Sequence, residues 1–244
     1  MEKKLILYFG PDYPKHIEDK VDILFVPIID IIPINGSSKI FYEKLKKCDW
    51  IVFTSPRGPR ILVDDAKDNN ILDSIINEIQ SKKLGVVGPE TAKSVKKYLY
   101  KDVDLMPKSY TGKELANELI KIRTDCIILA RSSQGVKDIN EILEKNNKKF
   151  IEVSIYDEIV NSERLSQVNN YLHENKNIDY IILSSPLIAK AFCDYIRYTN
   201  INVIAIGPST LKEVKDRCPF LNVIVPNEYT LNSAIELIYR NPSP

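Results

Sequence analysis

VVGPETAKSVKK at residues 86–97 and AIGPSTLKEVKD at residues 205–216 decide the fold of this chain. Each sets a short apolar run against Gly-Pro and follows it with a charged pattern at helical spacing. The apolar run reads as the end of a buried strand, and the Pro after Gly reads as the first position of a helix. Two further blocks repeat in the same order. DWIVFTSPRGPRIL (49–62) matches DYIILSSPLIAKAF (179–192), and VDLMPKSYTGKELANELI (103–120) matches NVIVPNEYTLNSAIELI (222–238). Gly88 and Gly207, Pro107 and Pro226, and Thr111 and Thr230 all stand 119 positions apart, whereas Asp49 and Asp179 stand 130 apart. The first copy therefore carries 11 extra residues, around the polar, helical stretch DDAKDNNILDSIINEIQSKK (64–83). Fainter matches link VPIIDII (26–32) with VSIYDEI (153–159) and LILYFG (5–10) with IILARS (127–132). A duplicated unit of roughly 120 residues is implied. Chance similarity of α/β segments is the competing account, and the shared order of three blocks weighs against it.

Runs such as WIVFTS, LGVVG, CIILA, YIILSS and VIAIG are apolar on both faces and alternate with helical patterns. That alternation predicts buried parallel strands in an α/β sheet. Helix starts are marked. Ser55-Pro56 and Ser185-Pro186 predict a capping Ser before Pro, and Gly88-Pro89 and Gly207-Pro208 predict a tight turn with Gly as the cap. Thr111 with Glu114 has capping-box spacing.

The 244 residues suit one large or two modest domains, and 44% hydrophobic with 27% charged residues excludes global disorder. Net charge is +1, without the basic surplus of a dedicated nucleic-acid binder. Cys48, Cys126, Cys193 and Cys218 form no C-x-x-C pair, and His16 and His173 lie far from them in sequence. The spacing predicts neither a disulfide framework nor a zinc site. The opening MEKKLILYFGPDYP has too short an apolar run for a signal peptide and meets Pro-Asp at once, and no run is long enough to span a bilayer. A cytoplasmic location is expected. There is no G-x-G-x-x-G, no phosphate loop and no G-x-S-x-G elbow, and two histidines make a Ser-His-Asp triad a poor expectation.

Ligands of open parallel sheets bind at the carboxyl ends of the strands. Helix N-termini there present free N–H groups that favour carboxylate or phosphate, each worth about 0.3–1 kcal/mol when exposed. Ser55, Gly88, Thr91, Ser185, Gly207 and Thr210 occupy such ends in both copies, and Arg57 and Arg131 follow strand ends in the first. They read either as caps and solvated arginines or as binding groups for a polyanion. The copies differ at one telling place: Ile29 in PIIDII corresponds to Tyr156 in SIYDEI. A phenol is a weak acid able to donate a proton to a leaving hydroxyl, and it is also an ordinary core residue.

IVFTSPRGPRIL, VVGPETAKSVKK, MPKSYTGKELANEL, VSIYDEIV, IILSSPLIAKAF, IAIGPSTLKEV and VPNEYTLNSAIELI, in that order, resemble uroporphyrinogen-III synthase over about residues 26–240. The resemblance implies two flavodoxin-like parallel-sheet α/β domains joined by a two-stranded β linker, with the site in the cleft. Residues 1–34 with 160–244 would form a discontinuous domain, 35–150 an inserted one, and 26–34 and 151–160 the linker strands. The duplication alone is equally compatible with two sequential domains.

The reaction implied is closure of hydroxymethylbilane to uroporphyrinogen III with loss of water and inversion of ring D, without metal or cofactor. The hydroxyl leaves to give an azafulvene, ring D attacks at its substituted carbon, and a spiro intermediate fragments and recloses. By motif match Tyr156 falls on the linker tyrosine that assists hydroxyl loss. Ser55, Arg57, Gly88, Thr91, Arg131, Ser185, Gly207 and Thr210 would bind substrate. This chain departs from its relatives at Phe9-Gly10, where many carry an Arg, and at SSQGVK after Arg131, where Lys137 would substitute. The partner implied is the small-molecule substrate, with transient contact to the preceding pathway enzyme, no nucleic acid, no membrane and a monomeric state. The rival reading is a non-catalytic two-lobed module that binds a tetrapyrrole or a small anion.

Overall fold

The computed structural model describes residues 3–10, 13, 21–174, 178–196 and 201–240; the Pro11-Asp12 pair and His16 lie outside them. The described residues divide into two compact units, one running up to Asp30 and again from Ile159, the other comprising Ile31–Glu158.

In the first unit the strands β1 (Lys4–Phe9), β2 (Val21–Val26), β8 (Tyr180–Leu183), β9 (Asn202–Ala205) and β10 (Asn222–Ile224) form one sheet. Its order is β10-β9-β8-β1-β2 with every pair parallel. Taken in chain order this is 2-1-3-4-5, the flavodoxin-like arrangement. Central β8 is buried throughout, whereas in edge strand β2 only Val21 is buried and Asp22 and Leu24 are exposed, as in a strand covered less completely. The helices are α7 (Ser162–Glu174), α8 (Pro186–Tyr195), α9 (Pro208–Arg217) and α10 (Leu231–Arg240).

The second unit holds β3 (Ile29–Pro33), β4 (Trp50–Phe53), β5 (Lys83–Val86), β6 (Ile127–Ser132) and β7 (Phe150–Val160) in the order β3-β7-β6-β4-β5. Pairs β4·β5, β4·β6 and β6·β7 are parallel. Strand β3 lies beside β7 in the opposite sense, because Ile34 N–H donates to Ile155 O and Asn161 N–H to Ile28 O. The repeat is visible in the pairing itself. Gly85 bridges Leu105 in parallel, and Ile204, 119 positions later, pairs with Ile224. The units therefore share one spatial order, but the second takes its β6 and β7 from the end of its segment, where the first takes β1 and β2 from the start.

Strand alternation splits the second unit's core between two faces. Ile51, Phe53, Ile128 and Ala130 pack against α1 (Ser37–Leu45), α2 (Arg57–Asp68), α3 (Leu72–Gln80) and α4 (Pro89–Leu99), through Phe41, Leu62, Ile75 and Val95. Trp50, Val52, Ile127 and Leu129 face α5 (Gly112–Leu119) and α6 (Asp138–Lys145), through Leu115, Leu119, Ile139 and Leu143. The insertion at 64–83 is the end of α2 together with α3. Asp65 of α2 reaches the start of α1, where its carboxylate accepts from the N–H groups of Gly36 (2.8 Å) and Ser38 (2.7 Å). Gly36 sits at φ +75°, a conformation that favours glycine.

The structure corrects the expectation of unpaired cysteines. Cys48 is bonded to Cys126 and Cys193 to Cys218. The partners are 78 and 25 residues apart, so spacing carries no signal of them. Cys48 and Cys126 meet because each just precedes one of two neighbouring parallel strands, β4 and β6. Cys193 and Cys218 meet because α8 packs on α9.

Candidate functional site

Strand β7 carries the residues of greatest chemical interest. Val153 and Ile155 alternate into one core face, and then the pattern breaks: Tyr156, the next residue, joins the same core. The break is a bulge. Arg131 pairs with Ser154 but Ser132 pairs with Tyr156, leaving Ile155 as the extra residue. Bulges of this kind re-aim side chains. Here the Tyr156 ring is turned inward and left 2% exposed.

The Tyr156 hydroxyl meets Ser55 and Arg57, which hydrogen-bond to it. Both come from the turn that joins β4 to α2. That turn differs from expectation: Pro56, not Ser55, occupies the cap position, and the Ser55 hydroxyl accepts from Arg57 N–H at 3.3 Å. The Arg57 guanidinium stands 3.8 Å from the Glu158 carboxylate, and both side chains are largely covered. Burial, first, pushes the Tyr156 phenol above its ordinary value near 10. The bond to Ser55 pulls it back, Glu158 adds to the rise, and Arg57 opposes it. Ser133 stands alongside, its hydroxyl bonded to the Asp157 carboxylate and its N–H to Tyr156 O at 2.9 Å.

Arg131 does not join this group. It is 2% exposed inside β6 and donates to Val136 O (2.7 Å), to the Asn140 side chain and to Glu152 (3.0 Å). Lys137 and Asn140 bond the same Glu152 carboxylate, at 2.9 and 2.7 Å. Burial works to raise the Glu152 pKa, but the bonds from Asn140, Lys137 and Arg131 outweigh it and hold it at about 2. Arg131 and Lys137, expected to bind substrate carboxylates, both engage an internal carboxylate, Glu152.

The remaining candidates are placed as follows. Gly88 and Gly207 cap α4 and α9 ahead of Pro, in extended backbone that any residue adopts. A Cβ on Gly88 would stand a tight 3.3 Å from Tyr110, whereas one on Gly207 would meet Tyr229, its repeat counterpart, at an ordinary contact distance of 3.6 Å. Thr91 and Thr210 lie in the first turns of those helices and are 2% and 3% exposed. Ser185 caps α8 and accepts from Ile188 N–H at 3.3 Å. The expected capping box at Thr111 forms by half: Thr111 accepts from Glu114 N–H, but its own N–H donates to Ser109 O, and Thr230 likewise accepts from Ser233 N–H. Of the candidates, Ser55, Arg57 and Tyr156 converge within the second unit. Ser185, Gly207 and Thr210 belong to the first.

Sequence reasoning passed over Glu158, Asp157, Ser133 and Glu152. Glu158 had a readable signal, since a residue two positions beyond Tyr156 on a strand shares its face. Among the described residues no group of three or more His, Cys, Asp or Glu is placed to hold a metal ion. Among the same residues no helix is long and apolar enough to cross a membrane.

A family model described as "Uroporphyrinogen-III synthase HemD" matches residues 17–236. A Methanocaldococcus jannaschii protein, "Putative uroporphyrinogen-III synthase", is 30% identical over 218 residues, covering 82% of this chain and 84% of the relative. In fold, the chain is similar to a crystal structure of a mutant uroporphyrinogen III synthase from Thermus thermophilus, at TM-score 0.67 and 12% identity, covering 98% of each chain. It is also similar to a uroporphyrinogen-III synthetase from Helicobacter pylori, at TM-score 0.66 and 15% identity, covering 97% of this chain and 99% of the other.

Proposed function

The chain belongs to the uroporphyrinogen-III synthase family, and from that premise we propose how its own residues carry the family's reaction. The activity is that of a cyclising lyase: hydroxymethylbilane closes to uroporphyrinogen III with inversion of ring D and loss of water. The family match favours this over a non-catalytic binding module. In our reading Tyr156 is the proton donor. Its hydroxyl proton passes to the departing hydroxyl, the carbon–oxygen bond breaks, water leaves, and a pyrrole nitrogen lone pair stabilises the azafulvene. The tyrosinate regains a proton from the one released when the closed ring recovers its aromatic pyrrole. A positioned donor contributes about 10²–10⁴-fold, and holding the bilane in a reactive fold supplies a larger share, up to about 7–11 kcal/mol.

The observation that supports this reading is the meeting of Tyr156 with Ser55 and Arg57 around one buried hydroxyl. Burial keeps the phenol protonated, and Ser55 and Arg57 stabilise the tyrosinate as it forms. We assign Arg57 and Ser55, with Gly88, Thr91, Ser185, Gly207 and Thr210, to substrate binding, and Arg131 to support of the β6–α6 loop. We further read residues 1–34 with 160–244 and residues 35–150 as the two domains, with 26–34 and 151–160 as linker strands. We place the enzyme in the cytoplasm as a monomer that takes its substrate from the preceding enzyme. Spontaneous closure to the wrong isomer favours such a short transfer.

The test is incubation with freshly prepared hydroxymethylbilane and separation of the ring isomers. The type III ring is expected, faster than spontaneous closure. Type I alone, at the spontaneous rate, would overturn the assignment.

A further inference from the structure

We propose that Glu158 is a positioning residue for this reaction: its carboxylate holds the Arg57 guanidinium beside the Tyr156 hydroxyl and cancels its charge there, so that the phenol keeps its proton until the leaving hydroxyl takes it. The proposal rests on the reading of Tyr156 as donor.

Four side chains form a closed set. Tyr156 and Glu158 lie two apart on β7 and share a face beyond the bulge at Ile155. Ser55 and Arg57 lie two apart across the turn into α2. Arg57 touches both β7 residues, Tyr156 by hydrogen bond and Glu158 by charge at 3.8 Å. The Arg57 and Glu158 side chains are 11% and 21% exposed, so little solvent screens them. A lone guanidinium against a buried phenol would favour the tyrosinate and narrow the pH range over which the phenol still holds a proton to give. A carboxylate paired with the guanidinium opposes that bias. The nearby charged groups of β6 and β7 are engaged elsewhere. Asp157 is bonded to Ser133, and Arg131 and Lys137 are each bonded to Glu152, which stands on β7 ahead of the bulge. Glu158 is thus the charge that sets the state of the Arg57–Tyr156 pair.

Glu158→Gln keeps the size of the side chain and removes its charge. Near-ultraviolet difference titration, with Tyr156→Phe as the blank, reads the ionisation of Tyr156 whether or not the protein turns over. In Glu158→Gln that ionisation should move down by about one pH unit. The alkaline limb of kcat should follow it, the donor failing about one pH unit earlier than in the wild type. Glu158→Asp should restore most of both. Tyr156 ionising at its wild-type pH in Glu158→Gln would overturn the proposal, and so would an alkaline limb of kcat that stays where it is in the wild type. Should the wild-type protein yield no type III ring, the functional reading fails, while the titration still decides whether Glu158 governs the phenol.

Discussion

Tyr156 and Arg131 show how burial gives opposite meanings to two polar residues. The Tyr156 phenol can be buried neutral, so its cost is modest and its proton is retained. Because its folded pKa is raised, it stabilises the fold below its ordinary value near 10, and that contribution is lost as pH rises through the folded value. Tyr156→Phe should lower kcat by about 10²-fold and cost no more than about 1 kcal/mol of stability. Single-turnover kinetics beside thermal unfolding by circular dichroism separates the two effects. Unchanged turnover would make Tyr156 a core residue only. Arg131 cannot be buried neutral, and it is therefore committed to Glu152, Asn140 and Val136 O. Its position after an apolar strand run was plain in the sequence. Its use was not, because the carboxylate that claims it stands 21 residues away on the next strand.

At the scale of elements, β7 joins two kinds of order. Its first half anchors the loop between β6 and α6 through Glu152, and its second half carries Tyr156 and Glu158. Removing Glu152 would leave the Arg131 guanidinium buried without its carboxylate, so Glu152→Ala should cost about 3 kcal/mol. The depressed pKa also fixes a sign. Stability from Glu152 is present above its ordinary value of 4.5 and is lost as pH falls from there toward about 2. Denaturant unfolding at stepped pH should show that acid-dependent loss in the wild type and a weaker one in Glu152→Gln; equal acid dependence would refute it. The strands, most helix starts and the Thr caps were legible because apolar runs, Pro and Thr act locally. The bulge at Ile155 was not, because a β6 register decides it. The glycine ahead of α4 was legible as a position but not for its tight neighbour, the Tyr110 ring packed against it.

At the scale of the whole molecule, the duplicated sheets carry one cystine each, and these tie segments far apart in the chain. Buried cystines are rare in a reducing cytoplasm, with disulfide-rich hyperthermophile proteins the exception. Thiol counting by mass after alkylation of the denatured, unreduced protein should find no free thiol. Reduction should lower the melting temperature, and the 78-residue link should contribute about 1 kcal/mol more than the 25-residue link, because a longer closed loop restricts the unfolded chain more. Four alkylated cysteines without reduction would refute the pairing. What the sequence by itself determined is the repeating unit: parallel strands, capped helices and their order, all encoded in residues within a few positions of one another. Only the tertiary structure decided that the second sheet draws β6 and β7 from the end of its segment, that the cysteines pair, and that Tyr156 meets Ser55, Arg57 and Glu158. Those facts depend on contacts across tens to more than a hundred residues, which spacing along a chain does not record.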